Sequence, residues 1–174
     1  MCAKEVESFE ERKPRERKPK SAEQALAALM RLCARSEKSS GDVLRLLQQW
    51  GVPESERGGV LDKLIKNRFI DDRRYAGAYV REKSRLSGWG WRKISMQLRA
   101  KGVSQDIIKE ALLEIDADDM QRTLQEKLRR KLNSVKASSD YELRGKLFRY
   151  ALSQGFDYAE ISEAVAAVVD GYRG

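Results

Sequence analysis

Histidine is absent from this sequence of 174 residues, and both cysteine and proline are scarce. The lack of histidine excludes imidazole acid–base catalysis, histidine-containing triads and histidine-ligated metals. The two cysteines, Cys2 and Cys33, are far apart in the chain and form neither a disulfide framework nor a metal knuckle. Neither standard glycine-rich phosphate loop is present. We therefore expect a protein that is not an enzyme, with no catalytic residue, cofactor or metal.

Long apolar runs are also missing. No stretch of about 18 apolar residues occurs, so we expect no transmembrane helix. The first residues are charged rather than apolar, so we expect no secretory signal. With only two cysteines, the sequence predicts a cytoplasmic protein.

The apolar residues that are present recur at three- and four-residue spacing in nine blocks, which predicts an all-α fold. Two of the three prolines, Pro14 and Pro19, lie in the first 20 residues. Residues 1–20 mix acidic and basic clusters with little apolar content and cannot bury enough surface to offset the entropy of ordering. This segment is predicted to be a disordered, mobile arm.

An internal repeat runs through the rest of the chain. It is marked by three glycines that each precede an apolar residue, 51 and 53 residues apart: Gly51-Val52, Gly102-Val103 and Gly155-Phe156. Each glycine is predicted to end a helix in the left-handed conformation. The pattern predicts an elongated, curved array of three tandem three-helix repeats, here named repeat 1 (21–70), repeat 2 (71–115) and repeat 3 (116–174). The alternative is an irregular bundle with glycines spaced by chance.

Several helix starts can also be read from the sequence. Ser21 and Gln24 have the spacing of a capping box, as do Ser139 and Glu142. Asp71-Asp72 and Ser104 are predicted N-caps of other helices.

Charge is distributed unevenly along the chain. The net charge is +8, and the pI is near 9.5. Residues 66–103 carry eleven basic and three acidic residues, and residues 121–139 carry six basic and one acidic, whereas residues 104–120 carry one basic and six acidic. This pattern predicts a surface that faces a polyanion or an acidic protein. The alternative is a set of solvated helix faces.

Two tryptophans flank a glycine within the basic segment, at Trp89 and Trp91. They could stack on bases or anchor a protein partner. Trp91 lies three residues before Ile94, so we expect it to pack inward instead. For Trp89 the sequence leaves both roles open, binding or covering a helix junction.

The middle of the chain carries a pattern known from one family. Its elements are Phe69-Ile70-Asp71-Asp72, Tyr75-Ala76, Gly90, Ile94, Leu98, Lys101-Gly102-Val103, Ile107-Ile108 and Ala111-Leu112. This pattern resembles the RecX family, the regulatory proteins of the RecA recombinase. The resemblance extends over residues 22–169, with Ser39 and Asp42-Val43 at the matching place in repeat 1. Tyr75 stands where the family usually has phenylalanine, and Gln154-Gly155 replaces its Lys-Gly pair.

The resemblance implies a curved array of helices that docks into the groove of a RecA filament on single-stranded DNA. Family members dampen ATP hydrolysis and strand exchange there and favour filament disassembly, which needs no catalytic residue. It implies a cytoplasmic, monomeric modulator of recombination and repair with no membrane partner, contacting single-stranded DNA directly or through the filament. A freestanding basic helical DNA-binding protein is the alternative, and an enzyme of unusual chemistry is a third.

The candidate partner-binding residues come from repeat 2. They are Arg73, Arg74, Arg81, Lys83, Arg85, Trp89, Arg92, Lys93, Arg99 and Lys101. On amphipathic helices only some of them can point the same way, so we expect about half to face the partner.

Overall fold

The computed structural model describes residues 19–172, which form nine α-helices and no strand. The helices are α1 (Ala22–Cys33), α2 (Ser40–Gln49), α3 (Glu54–Lys66), α4 (Asp72–Arg85), α5 (Trp91–Ala100), α6 (Gln105–Leu112), α7 (Ala117–Leu132), α8 (Asp140–Gln154) and α9 (Tyr158–Tyr172). The predicted all-α fold is confirmed. Most of the predicted arm lies outside the described residues. Its last residue, Lys20, donates its backbone N–H to the Trp50 carbonyl and holds its ammonium 3.5 Å from the Trp50 ring centre.

Three separate hydrophobic cores divide the nine helices into groups of three. The first core lies within α1–α3, the second within α4–α6 and the third within α7–α9. Val52, Val103 and Phe156, which follow the three repeat glycines, are buried in their respective cores. The array of three three-helix repeats is therefore confirmed, and the limits 21–70, 71–115 and 116–174 remain our proposed boundaries.

Short side chains begin most of the helices as the sequence predicts. Ser21 and Gln24 form a complete capping box, and Asp71 accepts hydrogen bonds from the first backbone N–H groups of α4. Two details differ. Ser104 occupies an N-cap without a side-chain bond, and Glu142 accepts from Ser138 instead of closing the predicted box with Ser139. Ser139 still accepts from the backbone N–H of Glu142 at 3.2 Å.

The three repeat glycines have the left-handed backbone that their spacing predicts. Gly51, Gly102 and Gly155 have φ values of 72°, 77° and 89°. At each of them the following N–H turns back onto a carbonyl of the finished helix: Val52 to Leu47, Val103 to Leu98 and Phe156 to Ala151. The turn ends the helix and directs the next residue into the core.

Repeats 1 and 2 meet where the start of α2 faces the end of α5. The Ser39 hydroxyl, at the α2 N-cap, donates to the Lys101 carbonyl at 2.6 Å, and Arg45 donates to the Ala100 carbonyl at 2.6 Å. The last carbonyls of a helix have no partner within it, so these bonds satisfy groups that would otherwise need water. The backbones are also in contact, because a Cβ on Gly41 would lie 2.9 Å from the Gly102 Cα.

Repeats 2 and 3 meet in the same way, at the start of α5 and the end of α8. The N–H of Gly90, the α5 N-cap, donates to the Gln154 carbonyl at 2.9 Å. Lys93 donates to the Ser153 carbonyl at 3.2 Å, and the Arg92 N–H donates to the Gly155 carbonyl at 3.1 Å. Lys101 and Gln154 each precede a left-handed glycine. The two junctions are therefore structurally equivalent, and the second helices α8, α5 and α2 lie head to tail.

Gly102→Val tests the junction between repeats 1 and 2. A branched side chain is strained at a φ of 77° and would press on Gly41. We expect a loss of about 2 kcal/mol or more in the free energy of unfolding. The matched control is Gly58→Ala within α3, where an added Cβ meets nothing within 4 Å. It should raise stability by about 0.5–1 kcal/mol. Thermal melts that are equal for Gly102→Val and wild type would contradict the assignment.

Candidate partner-binding surface

Two of the candidate arginines on α4 are paired with acidic residues of the same repeat. Arg81 contacts Glu114 at 2.8 Å, and Arg73 contacts Glu110. Both acids come from the acidic stretch 104–120, which the fold lays alongside the basic helix. All four side chains are between 49% and 65% exposed, so each pair contributes little to stability. Their effect is to lower the positive charge that the sequence count assigns to this face.

Three other candidates hold neighbouring repeats together. Arg74 contacts Glu37 of repeat 1 at 2.8 Å, and Lys101 contacts Asp42 of repeat 1 at 3.1 Å. Arg92 contacts Asp157 of repeat 3 at 2.7 Å. These ion pairs flank the backbone junctions and add a structural role to residues that the sequence indicates only as binding residues.

Asp42 is the most enclosed acid in these ion pairs. Its side chain is 13% exposed and is bonded by both Arg45 and Lys101. Burial alone raises the pKa of this carboxyl, but the hydrogen bonds from the two cations outweigh burial and hold the pKa below its ordinary value. Asp42 is therefore a charged link between the α2 start and the α5 end.

The two tryptophans differ in their burial. Trp91 is 37% exposed, with the Arg92 guanidinium 5.2 Å from its ring centre, so the prediction that it packs inward is wrong. It is the first residue of α5, where the face shared with Ile94 extends past the edge of the core. Trp89 is half-buried and packs against the repeat 2 core. The ammonium groups of Lys83 and Lys93 lie 5.4 and 4.4 Å from its ring centre.

Three further candidates lie on repeat 2, where Arg85 and Arg99 are exposed and Lys83 is largely covered. Arg85 is exposed at the end of α4 and forms no ion pair with the residues that the structure describes. It lines a groove of about 430 Å³ between repeats 2 and 3, together with Arg81 and Trp89. Arg99 donates to the Gln105 side chain at 2.8 Å. Lys83 contacts its neighbour Glu82 at 2.7 Å. The ten candidates thus do not form one continuous face.

Helix α7 brings Lys127 close to Lys93, and Arg130 and Lys131 follow Lys127 at three- and four-residue spacing on the same helix. We name Lys93, Lys127, Arg130 and Lys131 the cationic cluster. Burial, followed by the nearby charges of Lys93 and Arg130, lowers the pKa of Lys127. Lys127 donates to the Gln154 amide oxygen at 3.1 Å, and Lys131 lies 5.5 Å from the Tyr150 ring centre.

The three α7 members of the cationic cluster are not among the ten candidates predicted from the sequence. Residues 121–139 already showed a basic excess. The missing information was the junction that places α7 beside α5, because charge counts along a chain do not reveal which helices become neighbours.

Acidic neighbours are sparse at the cationic cluster. Glu126 reaches Arg130 at 3.6 Å, with both side chains largely exposed.

Among residues 19–172 no group of three or more acidic, cysteine or histidine side chains could hold a metal ion. In the same part of the chain no helix is both long and apolar enough to cross a membrane.

Comparisons with known proteins agree with this geometry. Residues 71–112 match the second three-helix domain of RecX, and residues 118–165 match the third. The regulatory protein RecX of Clostridium botulinum (strain Eklund 17B / Type B) is 31% identical over 145 residues, which cover 82% of this chain and 68% of that protein. The regulatory protein RecX of Mycobacterium sp. (strain KMS) is 28% identical over 159 residues, covering 89% and 87%.

Solved structures share the fold. The crystal structure of RecX from Lactobacillus salivarius superposes with a TM-score of 0.74 at 21% identity, covering 84% of this chain and 96% of that one. A second crystal structure of regulatory protein RecX gives a TM-score of 0.73. The fold and the matches define a regulatory protein built from tandem three-helix domains. The chain belongs to the RecX family.

Asp42→Asn tests the ionic link between repeats 1 and 2. The substitution removes the carboxylate, so we expect a lower Tm than wild type at about pH 7. The folded pKa lies below the unfolded value of 3.8, so this stabilisation is present above that value and is lost as the pH falls through the folded pKa. The difference in Tm should therefore close in strong acid.

Thermal melts across the acid range measure this difference. Asp62→Asn is the matched control, because Asp62 is exposed on α3 and forms no ion pair with the described residues. It should leave Tm unchanged. A difference between Asp42→Asn and wild type that stays constant into strong acid would contradict the assignment.

Proposed function

We propose that this protein binds the RecA recombinase on its single-stranded DNA filament and restrains ATP hydrolysis, strand exchange and filament growth during recombination and repair. Membership of the RecX family, whose relatives are named regulatory proteins, supports a regulatory role. The structural observation that most strongly supports the proposal is the regular array of three three-helix repeats. Two equivalent junctions hold three repeats in line, so one chain can contact several subunits of a periodic partner.

The proposed mechanism is binding without chemistry. A regulator of this kind acts by favouring one state of its partner, and it shifts that equilibrium only through a difference in affinity between states. We also propose that the protein acts in the cytoplasm and as a monomer. The candidate residues that carry it are those of repeat 2 left outside the junction ion pairs, chiefly Arg81, Lys83, Arg85, Trp89 and Arg99.

A second candidate function is direct binding of DNA without the recombinase. The cationic cluster favours it, because its four cations have only Glu126 as an acidic partner among the described residues. The two functions differ in one measurable respect. A filament regulator binds the recombinase–DNA complex more tightly than bare DNA, whereas a freestanding binder gains no affinity from the recombinase.

The decisive measurement is single-stranded-DNA-dependent ATP hydrolysis by the cognate recombinase. The protein is titrated in below stoichiometric amounts at two salt concentrations. We expect hydrolysis to fall, with weaker inhibition at the higher salt because charged contacts are screened. Unchanged hydrolysis together with ordinary binding to bare DNA would overturn the regulator and favour the freestanding DNA-binding protein.

Reversing the charges of Arg81 and Arg85 tests the surface of repeat 2. The two residues are four apart on one face of α4. We expect the concentration needed for half-inhibition to rise about tenfold, equivalent to about 1.4 kcal/mol. Glu114→Gln is the matched control, because it breaks the ion pair with Arg81 and leaves both arginines in place. It should inhibit at least as strongly as wild type, because it removes a negative charge from this face and keeps both arginines. Inhibition unchanged by the double reversal would show that this face is not the contact surface.

A further inference from the structure

The cationic cluster lies at the seam between repeats 2 and 3. Lys93 comes from α5, and Lys127, Arg130 and Lys131 come from one turn of α7. The stem of Lys127 crosses the Gly88 turn of repeat 2, so that a Cβ on Gly88 would collide with it. The junction that aligns α5 with α8 thus also places Lys127 of repeat 3 beside Lys93 of repeat 2.

The cluster concentrates like charge that the described residues do not neutralise. Around Lys127 the nearby charges are Lys93 and Arg130, both positive, and together with burial they lower its pKa. The one acid, Glu126, is 3.6 Å from Arg130, and that pair is largely exposed and correspondingly weak. Repulsion among fixed cations destabilises the free protein and is relieved when an anion binds.

Two aromatic rings accompany the cations. Lys93 lies 4.4 Å from the Trp89 ring centre, and Lys131 lies 5.5 Å from that of Tyr150. Surfaces that bind single-stranded nucleic acid typically combine cations, which contact the phosphate backbone of the strand, with aromatic rings, on which its bases stack. Both rings are only part-exposed, so the cations dominate what the cluster offers a ligand.

An acidic protein surface fits the cluster less well. Protein interfaces draw most of their energy from apolar or aromatic anchors that become fully buried at the centre of the contact. The two aromatic rings beside the cluster, Trp89 and Tyr150, are only part-exposed, and each already has a lysine ammonium near it, so neither is free to be buried as such an anchor. A phosphodiester backbone needs no such anchor, because release of its counterions supplies the binding energy.

We propose that the cationic cluster is a binding site for the phosphate backbone of single-stranded DNA. The strand runs across the seam between repeats 2 and 3. Its phosphates supply the acidic partners that Lys93, Lys127 and Lys131 lack among the described residues, and that Arg130 has only in its weak, exposed pair with Glu126. This proposal deepens the proposed function by assigning the DNA contact to residues apart from the α4 arginines. Its test does not require the recombinase.

The experiment measures binding of the full chain to a fluorescein-labelled oligothymidylate by anisotropy over a range of salt concentrations. The site variant is Lys127→Gln/Arg130→Gln/Lys131→Gln. Its matched control, Lys63→Gln/Lys66→Gln/Lys109→Gln, removes the same charge from exposed positions on α3 and α6. A charge-retaining variant, Lys127→Arg/Arg130→Lys/Lys131→Arg, keeps the cations and tests whether structure alone is affected.

We expect the site variant to bind at least about tenfold more weakly at low salt, and the slope of log affinity against log salt to fall by about 2, close to 0.7 for each lost contact. The control variant should stay within about twofold of wild type, and the charge-retaining variant should bind normally. Equal losses in the site and control variants would overturn the proposal, because net charge alone would then explain binding. An oligothymidylate affinity unchanged in the site variant would also overturn it.

The ATP hydrolysis assay with the recombinase distinguishes a cluster that contacts DNA from one that contacts protein. A site variant that binds DNA normally but no longer inhibits ATP hydrolysis would show that the cluster contacts protein, which also overturns the proposal. If the proposed function itself is wrong, wild-type protein leaves ATP hydrolysis unchanged whatever the oligothymidylate binding shows. The two failures are therefore distinguishable.

Discussion

The end-to-end contact between second helices is the interaction on which the rest of the structure depends. At each junction, the carbonyls that α5 or α8 leaves unbonded at its end accept donors from the start of the preceding repeat's second helix. The helix dipoles align head to tail, which is favourable at close range. Each contact requires a left-handed glycine, because that turn exposes the carbonyls and lets two backbones touch. Glycine thus ends a helix and joins two repeats at once.

The junctions also determine what the charged residues do. Arg74, Arg92 and Lys101 hold neighbouring repeats together, and Arg73 and Arg81 pair within repeat 2. Much of the positive charge in residues 66–103 is therefore matched by acids from residues distant in sequence. The cationic cluster differs, because Glu126 is the one acid that forms an ion pair with it among the described residues. A net charge read along the chain measures composition, whereas binding depends on which cations the fold leaves without acids.

The fold was largely predictable from the sequence, because its signals are local. Apolar spacing of three and four residues defines a helix, and a glycine followed by an apolar residue defines its end, so Gly102 and Val103 could be placed without a structure. The site was predictable only in part, because it depends on contacts between helices. The exposed Trp91 shows this: shared spacing with Ile94 indicates a common face, but not where the core ends. The approach of Lys127 to Lys93 likewise follows from the junction alone.

Repetition itself gives the strongest physical argument for a periodic partner. Two junctions join the same helix ends, the start of one second helix and the end of the next, so successive repeats are connected in the same way. Against a single globular partner, such regularity gains nothing, because the second and third repeats would meet unrelated surfaces. Against a filament of identical subunits, each repeat meets an equivalent surface, and modest contacts combine through high effective concentration. Stiff junctions raise this advantage, because less conformational entropy is lost when the second and third contacts form.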